Sequence, residues 1–118
     1  MAISSYKELV LWQKAMKLAE ETYKLAGLLP KEERFALSDQ MRRAAISIPS
    51  NIAEGQARNS TKEFANFLSF ARGSTAEPET QLMLCVRLGY LQQTQINATQ
   101  NLCDEVGRML TTLIFRIP

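Results

Sequence analysis

Residues 92–114 read QQTQINATQNLCDEVGRMLTTLI, and their periodicity decides the fold class. Ile96, Thr99, Cys103, Val106, Leu110, Leu113 and, just beyond, Ile117 recur at alternating intervals of three and four. Residues so spaced share one face of an α-helix, so they lay an apolar stripe along it. The spacing predicts a helix from about Gln92 to Ile114. Gly107 inside it costs about 1 kcal/mol relative to Ala, or else lets a neighbour come close.

Toward the N-terminus, Gly89 closes the preceding segment. That segment opens with Ser60 and Glu63 at capping-box spacing, where a hydroxyl accepts a backbone N–H and a carboxylate reaches back. Its apolar face is Phe64, Phe67, Leu68, Ala71, Thr75, Leu82, Cys85 and Val86. Pro78 interrupts it. Proline has no N–H and crowds the carbonyl four residues back, so a kink is expected, with a short break as the alternative.

Another segment starts near Lys31, where Glu32 and Glu33 suit the positive end of a helix. A break is allowed between Phe35 and Ser38. Leu37, Met41, Ala44, Ile48 and Ile52 then follow helical spacing. Pro49 should kink this helix and free the Ala45 carbonyl. Ser50 or Asn51 should bond a carbonyl near the kink, and Glu54 should pair with a neighbouring Arg. Gly55 and Asn59 suit the helix end.

The first segment reads as a helix from about Tyr6 to Ala26, with Ser5 and Glu8 as a further capping box. It carries two apolar seams. One is Leu9, Trp12, Met16, Ala19, Tyr23 and Ala26; the other is Leu11, Ala15, Leu18, Thr22 and Leu25. Together they span more surface than one partner helix covers. Gly27 ends the helix, and Leu28, Leu29 and Pro30 lead out. No segment alternates with period two. The reading is all-α: one domain over residues 1–118, an antiparallel up-down four-helix bundle with a kinked second helix.

Of the 118 residues, 46% are hydrophobic and 22% charged, which excludes long-range disorder. No apolar run approaches the ~18 residues of a membrane span, and Met1 to Lys7 carries no signal-peptide pattern. The expected location is the cytoplasm. Histidine is absent, which removes the usual general base and every His-containing metal site. Cys85 and Cys103 form no C-x-x-C pair and read as reduced, buried core residues. Folding back about the Gly89–Gln92 turn leaves them about 10 Å out of register, too far for a disulfide. Phosphate-loop, dinucleotide and nucleophile-elbow motifs are missing. Glu77 and Glu79 point about 200° apart on a helix and make no acid–base pair. No enzyme activity, cofactor, metal or small-molecule substrate is expected.

The net charge of +2 is unevenly spread. Residues 40–76 hold Arg42, Arg43, Arg58, Lys62 and Arg72 against Glu54 and Glu63, a net of +3, while the first third is neutral and the last is −1. These five cations are the candidate nucleic-acid contacts. Arg58 to Lys62 precede a helix start, which suits phosphate. The plainer reading of each Arg is a solvated face with ordinary ion pairs, such as Asp39 with Arg43.

Several motifs together carry a family resemblance. They are Tyr6-Lys7-Glu8-Leu9 with Leu11-Trp12-Gln13-Lys14-Ala15-Met16, then Gln40-Met41-Arg42-Arg43-Ala44-Ala45. Ser47-Ile48-Pro49-Ser50-Asn51-Ile52-Ala53-Glu54-Gly55 follows, with Pro49, Ser50, Asn51, Glu54 and Gly55 as its structural signature. Lys62-Glu63-Phe64, Ala71-Arg72-Gly73-Ser74, Glu79-Thr80-Gln81-Leu82 and Gly107-Arg108-Met109-Leu110 complete the order. The chain resembles the 23S rRNA intervening-sequence proteins, also called four-helix bundle proteins. The resemblance implies a bacterial protein assembled as a ring-shaped homopentamer, with a non-enzymatic role and RNA as the candidate partner. It also relates the chain to accessory variability proteins of diversity-generating retroelements. The alternative reading is therefore a protein-binding adaptor for a nucleic-acid enzyme such as a reverse transcriptase.

Overall fold

The structure is a computed structural model and describes residues 9–118. Five helices follow: α1 (Val10–Ala26), α2 (Leu37–Ala57), α3 (Thr61–Ser74), α4 (Ala76–Arg87) and α5 (Gln93–Arg116). A 3₁₀ turn at Lys31–Glu33 precedes α2, and the described residues contain no strand. Only Thr75 separates α3 from α4, so the architecture is four helical rods with the third divided. The capping box at Ser5 and Glu8, and the start at Tyr6, lie outside the described residues.

Each helix end has a local cause. Before α2, the Glu33 carboxylate accepts the Leu37 backbone N–H at 3.3 Å. That bond takes a donor left over by the first turn, and it accounts for the break between Phe35 and Ser38. Ser60 caps α3 by accepting the Glu63 N–H at 3.1 Å. The α4 end is a Schellman closure: Tyr90 N–H donates to Cys85 O at 2.9 Å and Gly89 N–H to Val86 O at 3.0 Å. Gly89 sits there at φ +79°, a left-handed conformation that side chains with a Cβ disfavour. Gln92 and Gln95 form a reciprocal capping box at the start of α5.

The two prolines resolve differently. α2 runs unbroken through Pro49. Beside it, Asn51 donates to Ser47 O at 2.7 Å and Ser47 Oγ to Ala44 O at 2.6 Å. At Pro78 the chain breaks instead, the second of the two expected outcomes. Pro78 is the third residue of α4, where an N–H has no helical partner in any case. The turn is closed by Thr75 Oγ1, which donates to Arg72 O at 2.6 Å, and by the Cys103 thiol, which donates to Thr75 O at 3.3 Å.

α2 ends between Gly55 and Asn59, as the sequence suggests, with the Gly55 carbonyl accepting the Arg58 N–H at 3.2 Å. Gly55 also has a second role, because it is buried in that last turn. A Cβ there would lie 2.8 Å from Phe67 Cβ and 3.3 Å from Phe64 O. Only glycine lets α2 and α3 approach so closely.

The core forms two clusters. Leu11, Ala15, Leu18, Ile48, Ile52, Leu68, Val106 and Leu110 anchor one, with Cys103. Leu25, Met41, Leu82 and Ile96 anchor the other, with Cys85. One α1 seam, Leu11 to Leu25, is wholly buried, whereas the other leaves Met16 37% and Tyr23 42% exposed. Lys14 ties α1 to α5 through Glu105 at 2.8 Å.

Candidate nucleic-acid interface

The five candidate cations do not form one patch. Arg42 and Arg58 stand sixteen positions apart on the α2 stretch, about 24 Å along the axis. Arg42 is half-buried, its guanidinium 5.4 Å from the centre of the Tyr23 ring. Arg43 projects outward and pairs with Asp39 at 3.0 Å, as its spacing predicts. An exposed pair of this kind contributes a few tenths of a kcal/mol.

At the other end of α2, Arg58 pairs with Glu54 at 2.9 Å and lies 5.1 Å from the centre of the Phe67 ring. Glu54 is therefore engaged by Arg58, not by Arg42 or Arg43. Phe67 in turn meets Phe70 edge to face, centres 5.7 Å apart. These contacts hold the Arg58 side chain in one orientation. Lys62 is exposed on the first turn of α3. Arg72 lies in the last turn of α3, in a groove shared with Arg108, Glu79 and Asp104. Two acids there balance the two bases.

The structure adds a cation that the charge distribution along the chain hides. Arg116, in the last turn of α5, lines the same end cleft as Arg58. Phe64, Leu113 and Ile117 supply its apolar lining and Gln56, Asn59, Ser60 and Thr61 its polar groups, and among the described residues no Asp or Glu side chain joins them.

The signature segment divides by face. Asn51, Glu54 and Gly55 serve α2 itself and its contact with α3, through the bonds given above. Pro49 and Ser50 instead line a groove between α1 and α2 with Trp12, Met16, Tyr23 and Ile46.

Neither thiol is poised to react. Burial raises both, Cys103 to about 12, with the charges of Glu79 and Asp104 adding to the effect. Tyr90 donates to Glu33 at 2.7 Å, and that bond raises its pKa too. Among the described residues no cluster of His, Cys, Asp or Glu could hold a metal ion, and no helix is long and apolar enough to cross a membrane.

The family model described as 23S rRNA-intervening sequence protein matches residues 7–112. A crystal structure of a protein of unknown function from the S23 ribosomal protein family of Bacteroides thetaiotaomicron VPI-5482 superposes with a TM-score of 0.82. It is 29% identical, and the match covers 89% of this chain and 98% of that one. No curated protein matches.

Proposed function

The chain belongs to the 23S rRNA-intervening sequence protein family, and from that premise we propose that it is a non-enzymatic, self-assembling scaffold that binds RNA in the bacterial cytoplasm. Its rods run up and down in alternation, and copies close into a ring, with the number five taken from the family resemblance. The observation that carries self-assembly is the groove between α1 and α2. Trp12, Met16, Tyr23, Ile46 and Pro49 bring apolar surface to it, and Ile46 is 44% exposed. A second copy laid over this face removes that surface from water, at about 25 cal/mol per Å². RNA binding draws support from the regional charge excess, which a ring repeats around its axis. Repetition lets weak single contacts act together.

Light scattering at micromolar concentration tests assembly. The wild type should be an oligomer and Ile46→Glu should dissociate it; a monomeric wild type overturns the scaffold. Electrophoretic mobility shift with 23S rRNA fragments and unrelated RNA, at several salt concentrations, tests the partner. Absence of salt-sensitive binding at ~50 mM salt, where phosphate contacts are strongest, rejects RNA and leaves the adaptor reading.

A further inference from the structure

The end cleft holds about 410 Å³, within the ~300–1,000 Å³ range of small-ligand sites. Two parts of the chain that are distant in sequence build it: residues 55–64, from the end of α2 through the turn into α3, and residues 113–118, from the last turn of α5 onward. Among the described residues no Asp or Glu side chain lines the opening. Arg58 is braced by Glu54 and Phe67, yet Glu54 uses only part of its five N–H donors. The lining thus joins cationic donors to an apolar floor that includes an aromatic ring. Nucleic-acid sites that take unpaired bases combine the same two features, donors for the phosphate and a face for the base. Duplex RNA keeps its bases stacked inside and offers no base face to such a floor.

We propose that this cleft is a nucleotide subsite for single-stranded RNA: Arg58 and Arg116 hold a phosphate, and Phe64, Leu113 and Ile117 receive the base. This rests on the RNA reading above and narrows it to unpaired strands. Asn59, at the rim, offers an amide to the base edge.

Calorimetry on the intact oligomer tests the subsite, with a single-stranded RNA of about ten nucleotides, the same length of duplex, and an oligoglutamate peptide. The single strand should bind better than the duplex. Arg116→Gln should weaken it roughly fivefold to tenfold and lower the salt slope by about one phosphate contact. Thr61→Glu should do the same by placing a carboxylate at the rim, while suiting a helix first turn; circular dichroism and light scattering confirm that both variants keep fold and assembly. Single-strand binding untouched by either substitution overturns the subsite and leaves the RNA reading standing. No RNA binding at all overturns both. Oligoglutamate bound in an Arg116-dependent way, with RNA ignored, reassigns the cleft to an acidic protein partner and overturns the proposal.

Discussion

Gly55 and Gly107 both lie inside long helices, and their surroundings are opposite. At Gly55, α3 comes so near that a Cβ would sit 2.8 Å from Phe67 Cβ and 3.1 Å from Phe64 Cδ1. At Gly107, on α5, the nearest atom to such a Cβ is Thr75 Oγ1 at 3.7 Å, an ordinary contact. One glycine is required by its neighbour; the other leaves room. The difference follows from what faces each. Gly55 meets a continuous stretch of α3. Gly107 meets the break at Thr75, where the chain turns from α3 into α4. The contact there is made instead by Cys103, whose thiol takes the Thr75 carbonyl at 3.3 Å.

The largest test of this contrast is alkaline pH. Cys103 is 1% exposed, and burial raises its pKa from 9.0 to about 12. The folded state therefore favours the neutral thiol. Its contribution is complete below pH 9 and is lost as pH rises from 9 toward 12, at up to ~1.4 kcal/mol per pH unit. Cys85 shifts in the same direction. Urea unfolding of wild type and Cys103→Ala should start apart at pH 8 and converge. The wild type should lose about 2 kcal/mol more than the variant by pH 11. Parallel pH profiles would show that the thiol does not close the α5 contact.

Gly55→Ala should be next. The atoms it meets are Phe67 Cβ and the Phe64 backbone oxygen, which move only if α3 moves. Overpacking of this kind costs about 1–3 kcal/mol, against about 1 kcal/mol gained from helix propensity. A net loss of about 1–2 kcal/mol in chemical unfolding is expected. An unchanged midpoint would mean that α2 and α3 are less tightly joined than their geometry indicates.

The fold was largely legible because apolar spacing is a direct record of which face is buried. All of Ile96, Thr99, Cys103, Val106 and Leu110 are buried. The restart of α2 near Leu37 and the Ser60 cap were readable for the same reason: the residues that make them are adjacent in sequence. The close approach at Gly55 was not readable, because a glycine in the last turn of a helix looks the same whether or not it also admits a neighbour. Pro78 left kink and break open, since the outcome depends on where the new helix starts. The cap at Gln92 was missed because Gln is not among the favoured N-cap residues. The site was less legible than the fold. Of five candidate cations, Arg58 lines the end cleft, while Arg116 does so from a part of the chain whose net charge is negative. Charge counted along the chain does not record which ends meet in space.

Gly107→Ala is the smallest effect and the cleanest complement to Gly55→Ala, because the chemical change is identical and the sign should reverse. Alanine in a helix interior is favoured over glycine by about 1 kcal/mol, since glycine gives up more backbone freedom on folding. At position 107 nothing opposes that gain: the new methyl would meet Thr75 Oγ1 at 3.7 Å, a distance that is attractive rather than crowded. The hydroxyl of Thr75 is already directed to Arg72 O at 2.6 Å, so the methyl interrupts no bond. A rise of about 0.5–1 kcal/mol in unfolding free energy is expected. The double variant should show additivity, because the two sites pack on different neighbours. If Gly107→Ala destabilises instead, α5 and the α3–α4 break lie closer than the structure places them, and the two glycines serve the same purpose.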